Sequence, residues 1–256
     1  MMDHSMSVQT LMWARRAAKA AGWSLAALAS KKTALAKGSG DVVRHSASGD
    51  EAGTLLALRA GGDPMEMDGD GNNALMWSAF RGSALALSAM LDLAAVGRAD
   101  ARFRDASGAN ALMRAASAGK VKCVAMLIPF SEPGAVDAAG RTALMSACVG
   151  GHAACVKLLC QFEDPSKPDS AGRTPLMAAA AMGRAECCEA LCHVVDPRAV
   201  DKDGATAADI ARKVGLGHVR CAELIDAVAR IRDERDALSA DMPERGAQAG
   251  KGSSRL

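Results

Sequence analysis

The sequence contains very few aromatic residues: no tyrosine, three tryptophans and four phenylalanines among 256 residues. Half of the residues are apolar, so a core has to be built mainly from alanine, leucine, valine and methionine. The distance between packed helices depends on the side chains at their contact, and small side chains allow a close approach. We therefore expect thin, closely stacked helices instead of one large aromatic core.

The chain also lacks the sequence signatures of common catalytic and membrane proteins. It has no Gly-Lys-Ser/Thr phosphate loop, no His-Glu-x-x-His zinc motif and no Gly-x-Ser-x-Gly nucleophile elbow. No stretch of about 18 apolar residues occurs, so no segment is predicted to span a membrane. We predict that the protein is not an enzyme and that it uses no cofactor.

Charge is nearly balanced over the whole chain but is unevenly distributed. Residues 1–40 carry six Lys/Arg and one acidic residue, a net charge of +5, which leaves −3 for the rest of the chain. General nucleic-acid binding needs a concentrated basic face. We therefore expect no specific nucleic-acid partner.

A five-residue frame built around one glycine recurs five times along the chain. Its glycines are separated by 37, 32, 32 and 32 residues, and they are Gly71, Gly108, Gly140, Gly172 and Gly204. A second glycine follows the leucine of each of the first four frames by seven residues, at Gly82, Gly119, Gly151 and Gly183. Self-similarity at this period predicts a solenoid of stacked units.

One unit can be interpreted from residues 137–165. Asp137 to Gly140 is a turn signal, and Thr142 suits a helix N-cap because its hydroxyl can accept a backbone N–H. A short helix is predicted from about Leu144 to Val149, and a second from about His152 to Cys160. Neither helix could bury its apolar face alone, so neighbouring units must stack.

The pattern Asp-x-x-Gly-x-Thr-x-Leu, followed by small residues, Gly-His and a Leu-Leu pair, resembles the ankyrin repeat. The resemblance covers roughly residues 42–225. It implies an all-α helical solenoid of about six helix–turn–helix units joined by hairpin-like loops, with degenerate units at both ends. On this basis we expect a basic N-terminal segment at 1–40, an ankyrin repeat domain at 41–225, a C-terminal helix at 226–242 and a disordered tail at 243–256.

The eight cysteines suggest an alternative function. Cys187, Cys188, Cys192 and His193 together resemble a ligand cluster, as in a zinc-binding protein or in a thiol- or metal-dependent enzyme. The repeat register favours a different interpretation, because four cysteines each follow an inter-helix glycine by four residues: Cys123, Cys155, Cys187 and Cys221. We predict that cysteine serves here as a small buried apolar residue and that the protein has no metal site.

Three interpretations of the N-terminal segment remain open. Residues 7–37 could cap the first repeat or act as a mitochondrial presequence, or residues 7–32 could make weak contact with a membrane or organelle surface through Trp13 and Trp23. We expect a cytoplasmic protein, with a mitochondrial location as the alternative, and a monomer.

The resemblance implies a binding surface on the concave side, formed by the hairpin tips and the exposed sides of the first helices. The candidate residues are Asp70, Asn72, Trp77, Phe80, Arg81, Arg114, Arg141 and Arg173. The cluster in residues 77–81 consists of aromatic and arginine residues, the types that dominate interface hot spots. The alternative is that its two aromatic rings pack beneath a loop at Leu93–Arg102. We predict a non-catalytic scaffold or adaptor that binds a partner protein.

Overall fold

The computed structural model describes residues 39–240, apart from Val96, Arg98 and Pro133. The predicted N-terminal segment up to residue 38 and the predicted tail at 243–256 lie outside the described residues. The described part contains twelve α-helices and two short 3-10 helices, and its only β-type pairs are two isolated bridges in hairpins.

The α-helices follow one another in six pairs. They are α1 Ser39–Ser48, α2 Glu51–Arg59, α3 Ala74–Arg81, α4 Ala84–Ala95, α5 Ala111–Ser117, α6 Val121–Leu127, α7 Ala143–Gly150, α8 Ala153–Leu159, α9 Pro175–Ala181, α10 Ala185–Cys192, α11 Ala207–Val214 and α12 Val219–Ala240. The 3-10 helices are Ile128–Phe130 and Leu216–His218. Each pair is one repeat, with an odd-numbered first helix and an even-numbered second helix. The prediction of an all-α solenoid of about six units is confirmed.

The first helices begin at residues whose side chains cap the backbone. Thr142 accepts a hydrogen bond from the backbone N–H of Met145, which confirms the predicted N-cap. Pro175 occupies the first position of α9, where its missing N–H costs nothing. Helix α7 is capped at its C-terminus by Gly151, whose φ of 82° lies in the left-handed region that favours glycine.

The first helices form the more tightly packed of the two helical layers. Successive first helices approach one another more closely than successive second helices do in the centre of the stack. Small side chains permit this approach, because Ala115, Ala147 and Ala179 lie at equivalent positions and are fully buried. Closer spacing in one layer bends the stack, so the first helices line its inner side.

Side chains from one repeat also fill the turn of the preceding repeat. His152 Nε2 lies 3.0 Å from the carbonyl oxygen of Ser117, and Arg184 Nε donates to the carbonyl of Val149 at 3.2 Å. A Cβ atom added at Gly119 would lie 2.4 Å from His152. Glycine is therefore required at this turn both for its φ of 69° and for its neighbour's side chain. Basic side chains here also suit the carbonyl end of the preceding helix.

Candidate functional site

Each hairpin of repeats two to six is held by an aspartate three residues before the frame glycine. The five residues are Asp68, Asp105, Asp137, Asp169 and Asp201. In each case Oδ1 accepts backbone N–H groups from the residues two and four positions further on. For Asp169 both distances are 2.9 Å, from Ala171 and Arg173. The hairpin therefore has a fixed shape from repeat to repeat.

In four of these aspartates the second carboxylate oxygen, Oδ2, accepts a hydrogen bond from a side chain. The donor lies on the following first helix in two repeats and in the hairpin itself in the other two. Trp77 Nε1 donates to Asp68 at 2.7 Å, and Arg114 Nε donates to Asp105 at 3.0 Å. Both donors lie on a first helix, nine residues after their aspartate.

In the next two repeats the donor lies in the hairpin itself, four residues after the aspartate. Arg141 Nε donates to Asp137 at 2.8 Å, and Arg173 Nε donates to Asp169 at 3.0 Å. The guanidinium groups of the three arginines thus bind the equivalent aspartate in their repeats, although Arg114 lies on helix α5 and the other two lie in hairpins. We call the surface formed by these hairpins and the exposed sides of α3, α5, α7 and α9 the first-helix face.

The ion pairs of the first-helix face place negative charge inside and positive charge outside. The side chains of Asp105, Asp137 and Asp169 are 1%, 5% and 5% exposed, whereas those of their arginine partners are 37%, 47% and 51% exposed. Burial acts to raise the pKa of Asp169, but the hydrogen bonds and charge of Arg173 and the N–H of Ala171 outweigh it, so the pKa is lowered. The same balance between burial and the Ser107 and Arg114 side chains lowers the pKa of Asp105.

The predicted aromatic cluster lies at one end of this face. The rings of Trp77 and Phe80 meet edge to face, with centroids 6.0 Å apart and planes at 87°. The guanidinium of Arg81 lies 5.9 Å from the centroid of the Trp77 ring, and its Nε donates to the carbonyl of Ala47 at 2.8 Å. Phe80 is 36% exposed and Trp77 is half-buried. The structure thus brings the three residues together and holds the indole in one orientation through Asp68.

The two predicted hairpin residues of the same repeat differ in accessibility. Asp70 is exposed, and its backbone N–H donates to Asp68 at 3.0 Å. Asn72 is only 7% exposed, and its backbone N–H donates to the same oxygen at 2.9 Å. Asn72 therefore lies inside the turn, so its side chain is a poor candidate for contact with a partner.

The cysteine–histidine cluster considered as a metal or thiol site is not brought together. Cys187, Cys188 and Cys192 are fully buried between helices, whereas His193 is exposed. Across residues 39–240, no three His, Cys, Asp or Glu side chains lie where they could hold one metal ion. Burial raises the pKa of Cys187 and of Cys192 to about 11, which disfavours the nucleophilic thiolate.

The hairpin aspartates are the functional residues that the sequence interpretation missed. From the sequence, Asp137 is predicted to lie in a turn and Arg141 on a binding surface, but the hydrogen bond between them is not predicted. The signal was present, because every frame glycine has aspartate three positions before it. The pairing with Arg114 has no such sequence signal, since it depends on where α5 lies.

Comparison with known proteins agrees with this geometry. The family model described as ankyrin repeats (3 copies) matches residues 42–137 and 126–203, which together make up more than half of the chain. A search of curated proteins found no match. In the part of the chain that the structure describes, no helix combines the length and apolar character needed to cross a membrane.

Proposed function

Because the chain belongs to the ankyrin-repeat family, whose repeats are generally protein–protein interaction modules, we propose that it is a scaffold or adaptor that binds a partner protein. The partner lies along the first-helix face and is anchored at Trp77, Phe80 and Arg81. The protein acts by binding and not by catalysis, as is typical of the family.

The observation that carries this proposal is the fixed cluster of a half-buried indole, an exposed phenyl ring and an exposed arginine. The chain has only seven aromatic residues, and two of them share one surface of α3. Tryptophan and arginine are enriched among interface hot spots. Because the Trp77 indole is already held by Asp68, binding a partner costs little further side-chain entropy.

The absence of catalysis is supported by the state of the thiols. Burial raises the pKa of Cys123 to about 11 and that of Cys188 still further. Catalytic cysteines instead have depressed pKa values and partial exposure. The described thiols are therefore suited to packing.

The neighbouring repeat provides a variant that tests the anchor without disturbing the fold. Arg114 and Ser117 occupy the positions in α5 that correspond to Trp77 and Phe80 in α3. The double substitution Trp77→Arg/Phe80→Ser therefore keeps a donor for Asp68 while it removes both rings. We expect it to weaken capture of the partner from native cells by more than about 30-fold, or ~2 kcal/mol. Thermal unfolding should show a folded variant with a modest loss of stability, because Trp77 packs partly against the core.

A matched control separates this effect from a general change of surface. Leu56→Arg removes an apolar side chain that is 66% exposed on α2 and adds the same positive charge. It should leave partner capture unchanged. If Leu56→Arg abolishes capture while Trp77→Arg/Phe80→Ser does not, the partner binds the second helices and the proposal is wrong.

A further inference from the structure

The three central repeats show one charge arrangement on the first-helix face. Their hairpins and first helices span residues 105–118, 137–150 and 169–182, and the only charged residues in these ranges are three Asp and three Arg. Each aspartate side chain is at most 5% exposed, while each arginine is 37% to 51% exposed. Within these three ranges a partner therefore meets exposed cations and no exposed acid.

The guanidinium groups also present the same free edge. A guanidinium has five N–H donors, and it can bind carboxylates through two different edges. In Arg141 and Arg173 the Nε and Nη2 atoms both face the buried aspartate, at 2.8 to 3.0 Å. Arg114 uses the same two atoms toward Asp105. Among the described residues nothing bonds to Nη1 of these three side chains, so the edge that pairs Nη1 with Nη2 is open to a second carboxylate.

The first-helix surface between the arginines is lined by small side chains. The first-helix residues there that are only half-buried have small side chains: Ser117, Ser146, Val149, Ala178 and Ala181. Larger side chains stand only at the two ends, at Phe80 and at Met182, which is 48% exposed. An extended backbone could thus lie across several repeats without a steric block.

Building on the proposed function, we propose that the partner presents an acidic, extended segment to the row formed by Arg114, Arg141 and Arg173. Packed helices lie about 8–10 Å apart, and an extended segment in the polyproline II conformation advances about 3.1 Å per residue with three residues per turn, so every third side chain lies on the same side. Neighbouring arginines are therefore matched by carboxylates at about every third residue of the segment. Each carboxylate binds the free guanidinium edge, while the buried aspartate fixes the other edge.

A peptide fits this surface better than a nucleic acid does. Within residues 105–118, 137–150 and 169–182 each repeat has one exposed cation, and its field is partly offset by the aspartate directly behind it. Nucleic acid carries a much denser charge and is bound by concentrated basic faces.

The test uses defined peptides and the full chain. Fluorescence anisotropy at low ionic strength would measure a peptide of about twelve residues with glutamate at every third position in an alanine–serine background. A peptide of the same composition with its glutamates adjacent is the spacing control. We expect the spaced peptide to bind about fivefold or more tightly than the clustered one, with an affinity that falls as salt is added.

Substitutions then locate the binding row. Arg141→Gln/Arg173→Gln keeps a neutral donor for each buried aspartate and should weaken the spaced peptide by about 5- to 30-fold. Lys122→Gln/Lys157→Gln removes the same charge from exposed positions on α6 and α8 and should change nothing. Arg141→Lys/Arg173→Lys, which keeps the charge but loses the two-pronged donor, should give an intermediate affinity. Thermal unfolding of each variant shows that it is folded.

The possible outcomes separate this inference from the proposed function. Equal binding of the two peptides, or equal effects of the arginine and lysine variants, overturns the acidic-segment proposal. Tighter binding of a single-stranded oligonucleotide of equal charge also overturns it. The proposed function is judged separately by partner capture with Trp77→Arg/Phe80→Ser, because that variant keeps Arg114, Arg141 and Arg173 and should bind these non-aromatic peptides at least as tightly as wild type.

Discussion

Replacing Asp169 by alanine should destabilise the protein more than any comparable change on an exposed acid. The substitution removes Oδ1, which accepts the backbone N–H groups of Ala171 and Arg173, and also removes the ion pair with the Arg173 guanidinium. Hydrogen bonds to a charged group contribute about 1.5–3 kcal/mol each, but water can reach part of this hairpin and replace some of them. We therefore expect a loss of about 2–4 kcal/mol in the free energy of unfolding.

Two further variants divide this loss into its parts. Asp169→Asn keeps one carbonyl acceptor for the hairpin N–H groups and should cost less than alanine. Arg173→Ala leaves the hairpin bonds in place and should cost about 1 kcal/mol, since its side chain is half exposed. The control is Asp164→Ala, which removes an exposed acid with a single N–H contact to Ser166 and should stay within about 0.5 kcal/mol.

The assay is urea unfolding followed by circular dichroism at several pH values. The folded pKa of Asp169 is lowered, so its stabilisation is complete above the ordinary aspartate pKa of about 3.9 and is lost as the pH falls through the lower folded value. The difference between wild type and Asp169→Ala should therefore shrink in acid. A cost no larger than that of Asp164→Ala, or a difference that does not depend on pH, would refute the reasoning.

Three other predictions follow from the buried groups. Leu144→Ala should cost about 2–5 kcal/mol in urea unfolding, because Leu144 is fully buried, whereas Leu56→Ala should cost less than about 0.5 kcal/mol. Burial raises the pKa of Glu163, so the folded state is destabilised as the pH rises and this carboxyl must ionise. Glu163→Gln should therefore unfold at higher urea than wild type at pH 7. The difference should vanish below about pH 4, where the carboxyl is protonated in both the folded and the unfolded chain. Thiol labelling with a disulfide reagent should leave Cys123 and Cys187 unmodified until urea unfolds the chain, and rapid labelling of either in the native protein would contradict their burial.

The repeat architecture could be predicted because its determinants are local in the sequence. Thr142, Pro175 and Gly151 specify where helices begin and end through bonds and backbone angles within a few residues. The recurrence of these residues at a constant interval then implies stacking. Helix caps and turns can therefore be predicted from residues that are only a few positions apart.

The chemistry of the surface could be predicted only in part. The residue types at Trp77 and Arg141 pointed to an exposed binding face, but not to the aspartates that hold both side chains. A bond such as that from Arg114 to Asp105 depends on how a helix lies over a hairpin nine residues away. The exposed fraction of Phe80 and the burial of Asn72 likewise result from packing that no single repeat specifies.

The two ways of supplying a donor to the hairpin aspartate leave different positions free to diversify. Where the donor comes from the helix, as with Trp77 or Arg114, that helical position is committed to the scaffold. Where Arg141 or Arg173 supplies it, the corresponding helical positions, Ser146 and Ala178, have no bond to the aspartate. These two sites on the inner side of the stack can accept new side chains without loss of a hairpin bond, so they are the natural places to install or alter recognition in a library built on this chain.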